Sequence, residues 1–197
     1  MSLWGATDSD ESKPKNLTTA EKLEVSASSK GWVREAGSRL SGNGNTSATP
    51  EVLVAIGGLA VKLGAADITE IEWITTAADK SAGFTLSARL RFNEAVDVVT
   101  TGGTPTLAVT NGNQGSGSGR GPHALAYASG TGTNELVFSL AIAAANAATN
   151  ADDVLVIGTN ATALNGGTIK DAGTTTVSTI TNAAGIGTAA GTITVAA

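Results

Sequence analysis

The chain has 197 residues dominated by 34 Ala, 28 Thr and 25 Gly, with only seven aromatics, so any core must be built from Ala, Val, Ile and Leu. Cys is absent and His123 is the single histidine, which excludes disulfides and thiolate chemistry and leaves little for acid–base catalysis. The formal charge of −5 gives no electrostatic footprint for nucleic acid, and no apolar run approaches the roughly 20 residues that span a bilayer. Met1–Lys15 has no hydrophobic run, so no cleaved secretion signal is expected.

Charge divides the chain. Residues 1–100 hold 23 of the 29 charged side chains, and the first fifty are balanced at six acidic against six basic. Thr18-Thr-Ala-Glu21 fits a capping box and predicts a short helix over Thr19–Val25. Gly31–Ala36 and Glu51–Leu59 read as two strands around the turn-rich loop Ser41–Pro50. So few elements cannot bury enough apolar area to stand alone. Residues 1–65 are therefore expected to form an extended docking segment that leans on the rest of the chain, on another copy or on a partner. Trp4 and Trp32 are its heaviest apolar side chains, and local packing and partner anchoring are equally open to them.

Residues 66–180 carry the strand signal. Asp67–Thr76 sets Ile71 and Trp73 on one face and Glu70 and Glu72 on the other. In Gly83–Phe92, strict alternation puts Phe84, Leu86, Ala88, Leu90 and Phe92 opposite Thr85, Ser87, Arg89 and Arg91. Thr104–Thr110, Ala124–Ala128, Glu135–Ile142, Val154–Ile157 and the stretch around Ile169 supply further short strands, separated by Gly/Asn/Thr turns. Leu140–Ala151 has helix propensity but no amphipathic face, so it reads as a strand end plus loop. Short strands without an intervening helical period predict an all-β sandwich. Residues 181–197 form a tail, and Ile193 and Val195 within Thr188–Ala197 alternate like an edge strand seeking a partner, which predicts self-association.

Candidate sites are few. There is no GxSxG elbow, and His123, between Pro122 and Ala124, reads as a solvated loop edge and not as a general base. Gly185–Ala190 matches a relaxed dinucleotide fingerprint but without a βαβ unit, and no helix is expected to follow it. Gly115–Gly121 reads as a flexible hairpin tip, since it lacks the Lys-Ser/Thr of a phosphate loop. Asp97, Asp152, Asp153 and Asp171 lie near predicted strand ends, where they could offer carboxylates to calcium, but capping of turns is the commoner use of Asp. No catalytic residue, metal site or cofactor is expected.

Two resemblances add to this reading. Phe92-Asn-Glu-Ala-Val96, Gly103-Thr-Pro-Thr-Leu107, Ala126–Leu136 and Ala163–Ala172 resemble, in order and spacing, the bacterial immunoglobulin-like repeat of large surface adhesins. That resemblance implies an immunoglobulin-like Greek-key β-sandwich without catalysis, although the family's usual aspartate-alanine-glycine-asparagine ending stands here as Asp171-Ala-Gly-Thr174. Met1-Ser-Leu-Trp-Gly5, Lys13-Pro-Lys15, Gly31-Trp-Val33 and Glu51–Leu59 are similar to small virion structural proteins of tailed phages of marine cyanobacteria. Together they imply a capsid decoration protein on the outer capsid surface, or a tail or neck protein. Its partners would be the major capsid protein and other copies of itself, with host-surface glycans as a weaker partner and neither nucleic acid nor membrane. A bacterial surface-adhesion module is the alternative. Trp4, Lys13, Lys15, Trp32 and Arg34 are the candidate partner-binding residues.

Overall fold

The computed structural model describes residues 13–38, 40–42, 44–113 and 120–197. Within them the chain is all-β, with twelve strands and three short helices. The N-terminal part holds α1 (Thr19–Leu23), β1 (Val25–Ser28), β2 (Gly31–Arg34), β3 (Glu51–Ala55) and α2 (Leu59–Lys62). There follow β4 (Ile68–Trp73), β5 (Ala78–Asp79), β6 (Phe84–Val99), β7 (Thr106–Asn113), β8 (Arg120–Ser129) and β9 (Thr133–Ile142). The chain ends with β10 (Asp153–Ala163), β11 (Thr168–Asp171), α3 (Ala184–Thr188) and β12 (Thr192–Ala196). All strands belong to one open mixed sheet in the order β3-β2-β1-β6-β9-β8-β7-β10-β12-β5, with β4 and β11 also paired to β6.

The long strand β6 is the hub. Its first half lies between β4 and β9, in register from Phe84 opposite Ile142 to Arg91 opposite Glu135. The β6–β9 ladder then jumps to Val96 opposite Thr133, a bulge that bends β6 away from β9. In that gap β1 joins β6 in parallel through Ala27 and Glu94, and beyond it β11 pairs with Val96–Val99.

The alternating apolar face of β6 is the centre of the larger core. Leu86, Ala88, Leu90 and Phe92 are fully buried with Leu136 and Phe138 of β9, Leu125 of β8, Leu107 and Val109 of β7, and Leu155 and Ile157 of β10. A smaller core, Val25, Ala27, Trp32, Leu59 and Leu63, is packed by Leu17, Leu53, Val54 and Ile56. No residue belongs to both; the smaller core ends at Leu63 and the larger begins at Ala66. Gly31 and Gly103, both at positive φ, are among the glycines that permit close backbone approaches. A Cβ on Gly31 would run into the Val54 carbonyl and prise β2 from β3, and one on Gly103 would strike the Asn165 carbonyl.

Several local expectations need correction. The capping box is present, but the helix stops at Leu23 and Val25–Ser28 is strand β1. The strand expected over Gly31–Ala36 ends at Arg34, and the one expected over Glu51–Leu59 ends at Ala55, after which Gly58 in the left-handed region starts α2. Gly185–Ala190 contributes to α3. The alternating tail is not waiting for a second copy. Strand β12 pairs antiparallel with β10 and parallel with β5, and buries Ile193 and Val195. In place of the tail, the sheet path ends in β3 on one side and in the two-residue β5 on the other.

Candidate functional site

The most distinctive polar feature follows directly from strand register. Arg89 and Arg91 share the outer face of β6, with Glu72 and Glu70 of β4 as their cross-strand partners and Glu135 of β9 opposite Arg91. Arg91 is almost fully buried. Its Nη1 donates to Glu70 at 2.6 Å, its Nη2 to Glu72 at 3.3 Å, and its Nε to Glu135 at 2.9 Å. Arg89 bonds Glu72 at 3.1 Å and lies 3.5 Å from Glu135. The lid over this cluster comes from the N-terminal unit. Glu24, buried just after α1, brings Oε1 to 4.0 Å from Arg91 and accepts from the Leu40 N–H at 2.8 Å through Oε2. Burial works against the Arg91 charge, but Glu135, Glu72 and Glu70 outweigh it and hold the guanidinium above its ordinary pKa. Buried and surrounded by these carboxylates, Arg91 is turned to ion pairs within the chain and not to a solvent-borne anion.

Beside this seam a cleft of about 450 Å³ opens between the units. Glu35, Ser38 and Thr46 line one wall, and Arg89, Thr133 and Glu135 the other. Burial raises the pKa of Glu35, and the neighbouring Glu135 charge raises it further.

The candidate partner-binding residues are placed differently from one another. Trp4 lies outside the described residues. Trp32 is wholly buried in the smaller core. Lys13 is also buried, with its Nζ donating to the Lys22 carbonyl at 2.7 Å and sitting 5.8 Å from the centre of the Trp32 ring. Arg34 turns to Glu21 at 3.7 Å, and Lys15 is exposed. Local packing, one of the two readings open to Trp32, is the arrangement seen. The residues missed from sequence are Glu24, Glu35, Ser38, Arg89 and Arg91. The alternation of Arg89 and Arg91 against Glu70 and Glu72 was the available signal, since opposite charges on neighbouring strands pair across a ladder.

His123 departs from the solvated loop edge expected of it. It sits on β8 at 5% exposure, among Asn111, Thr149 and Asp153, all buried. Thr149 Oγ1 lies 2.9 Å from His123 Nε2 and Asn111 Nδ2 lies 3.4 Å from it. The Asn111 amide nitrogen also donates to the Ala148 carbonyl, so the same cluster holds the loop after β9. A hydroxyl this close to an imidazole resembles a nucleophile and its base, but Thr149 is fully buried, so the pair serves to tie the 143–152 loop to the β7–β8 hairpin. Burial lowers the His123 pKa, and Asp153 only partly offsets this. The unfolded chain therefore takes up the proton first as pH falls. Stability is expected to be level above about pH 6.5 and to decline below it, by at most about 1.4 kcal/mol per pH unit. Melting curves from pH 7.5 to 5 should show this slope in the wild type and a shallower one in His123→Asn.

The aspartates do not converge. Asp97 and Asp152 are exposed, and Asp153 accepts from the Asn150 N–H at 2.7 Å. Asp171 caps its own turn, accepting from the N–H of Gly173 at 2.5 Å and from the Thr174 hydroxyl at 2.6 Å. Among the described residues no group of three His, Asp or Glu is placed to hold a metal ion.

No family model, curated protein or solved structure matches this chain.

Proposed function

We propose that the chain is a non-enzymatic structural protein of a virion, a capsid decoration protein that docks through its N-terminal unit and displays an immunoglobulin-like Greek-key sandwich. Strand order supports the sandwich. The run β4-β6-β9-β8 followed by β7-β10-β12 has the A-B-E-D and C-F-G order of a constant-type immunoglobulin domain, with the β7–β8 hairpin joining the two runs. The observation that carries the docking reading is the outer surface of the N-terminal unit. Strand β3 ends the sheet path with Val52 exposed, and Val61 on α2 and Leu40 are exposed on the same unit. An open strand edge with an exposed valine is suited to strand addition by a partner. Repetition over a symmetric shell would multiply modest contacts through avidity.

Purified protein is expected to co-sediment with undecorated capsids of a tailed cyanobacterial phage. A double variant, Val52→Lys with Val61→Lys, should abolish co-sedimentation while leaving the melting curve in place. Recovery of the wild-type chain in the supernatant would remove the decoration reading and leave a surface-adhesion module as the alternative.

A further inference from the structure

We propose that the open edge of β4 accepts an extended peptide as an added strand, and that this peptide alternates basic residues with small apolar ones. The site goes beyond the decoration reading and lies on a different strand from the β3 edge invoked there.

Strand β4 is paired on one side only, with β6. On its other side Thr179 makes an isolated parallel bridge with Asp67, and the chain then leaves the edge for α3. A groove of about 410 Å³ lies beyond that bridge. One wall is the whole of β4 from Thr69 to Trp73, and the other is Gly185, Ile186, Ala189 and Ala190. Trp73 Nε1 donates to the Gly191 carbonyl at 3.2 Å, which ties the second wall to the last residue of the strand. The backbone of this edge is set for pairing. The Ile74 N–H donates to the Ser87 carbonyl at 3.0 Å. Bonding alternates along an antiparallel pair, so Glu72 and Glu70 turn their backbone groups to β6, and Ile71 and Trp73 turn theirs to the groove. Those outward groups are what an incoming strand bonds.

The side chains select the partner. Glu70, Glu72 and Ile74 share the outer face, and Ile74 is 41% exposed. The ion-pair network on that face sets four carboxylates, Glu24, Glu70, Glu72 and Glu135, against the two guanidiniums of Arg89 and Arg91. It therefore keeps an excess of negative charge, and the groove lining adds no basic residue. The Glu70 and Glu72 side chains remain 14% and 22% exposed, within reach of a lysine or arginine on a neighbouring strand. Alternate residues of the added strand point inward, where Ile186, Ala189 and Ala190 offer carbon surface to small apolar side chains. A second copy fits poorly. An antiparallel pair of β4 strands centred on Ile71 sets Glu70 against Glu72, and like charges directly opposite are destabilising. An acidic peptide meets the same repulsion.

The test titrates the ¹⁵N-labelled full chain with a heptapeptide of alternating lysine and valine that begins and ends in lysine. The expected result is a saturable shift of the Ile71, Trp73 and Ala189 amides that weakens severalfold as salt is raised. A peptide with glutamate in place of lysine should give no shift. Methylation of alternate backbone nitrogens of the lysine peptide should weaken binding at least tenfold in one of the two phases. Ala189→Trp, which fills the groove from an exposed position, should abolish the shift, and Glu70→Gln should weaken binding severalfold; melting curves confirm that each variant is folded. Absence of a saturable shift would overturn the proposal. So would equal binding by the glutamate peptide or by a peptide with its four lysines in one block, or binding that survives Ala189→Trp. Movement of the Ile71 and Trp73 amides on dilution of the free chain would assign the edge to a second copy instead. Val52→Lys with Val61→Lys should leave peptide binding intact, so failure here and failure of co-sedimentation are told apart.

Discussion

Arg91→Ala is expected to cost about 3–5 kcal/mol of stability, the range for removing one member of a buried ion pair and leaving its partners behind. The loss is not that of one salt bridge. Glu70, Glu72 and Glu135 all direct oxygens at this guanidinium, and Glu24 is buried above it. Without Arg91 these carboxylates face one another across β4 and β9, with Arg89 beside Glu72 and Glu135. Arg91→Lys should recover part of the loss, since a single ammonium keeps the charge but cannot reach three carboxylates in the planar arrangement of the guanidinium. Urea unfolding at neutral pH, followed by tryptophan fluorescence, measures both variants. A shift below about 1 kcal/mol for Arg91→Ala would place these contacts among surface pairs of negligible worth.

The same cluster shows how far the sequence could be read. Alternation along Gly83–Phe92 and Glu135–Ile142 located β6 and β9, and Leu86, Ala88, Leu90, Leu136 and Phe138 are buried as the pattern requires. Both strands are decided locally, by a period of two over many residues. Strand β1 was hidden because Val25 and Ala27 are its only apolar residues and the helix signal of Thr18–Glu21 runs straight into it. Its place is fixed by pairing with Glu94 across the β6 bulge, a contact with no local trace. His123 was misread because Pro122 and the nearby glycines describe only a loop edge. Thr149, brought back by the chain after β9, is what buries it. Glu35 and Ser38 lie in a connection without periodicity, and only the approach of Thr133 and Glu135 makes a cleft of them. Periodic segments were thus legible, whereas the seam and the cleft, assembled from distant segments, were not.

Trp32→Ala is expected to unfold the N-terminal unit while the sandwich keeps its own melting transition. Removing a buried Trp costs about 3–5 kcal/mol, much of it from the cavity left behind. A core as small as Val25, Ala27, Leu59 and Leu63 has no comparable reserve, because small units seldom gain more than about 3–5 kcal/mol from burial in total. The ring is also central to its surroundings, with Lys13 over one face and β1 and β3 on either side of its own strand. Its loss should release β1 from β6 and withdraw Glu24 from Arg91, so the sandwich transition should itself move to lower temperature. Trp32→Phe, which keeps most of the apolar volume, should cost far less. Differential scanning calorimetry with far-ultraviolet circular dichroism separates the two transitions. A partner-facing Trp32 would behave in the opposite way, weakening partner binding by about 2 kcal/mol with an unchanged melting curve. A single transition at the wild-type temperature would therefore show that the smaller core does not depend on Trp32. Loss of both transitions together would show that the seam joins the two cores into one cooperative unit.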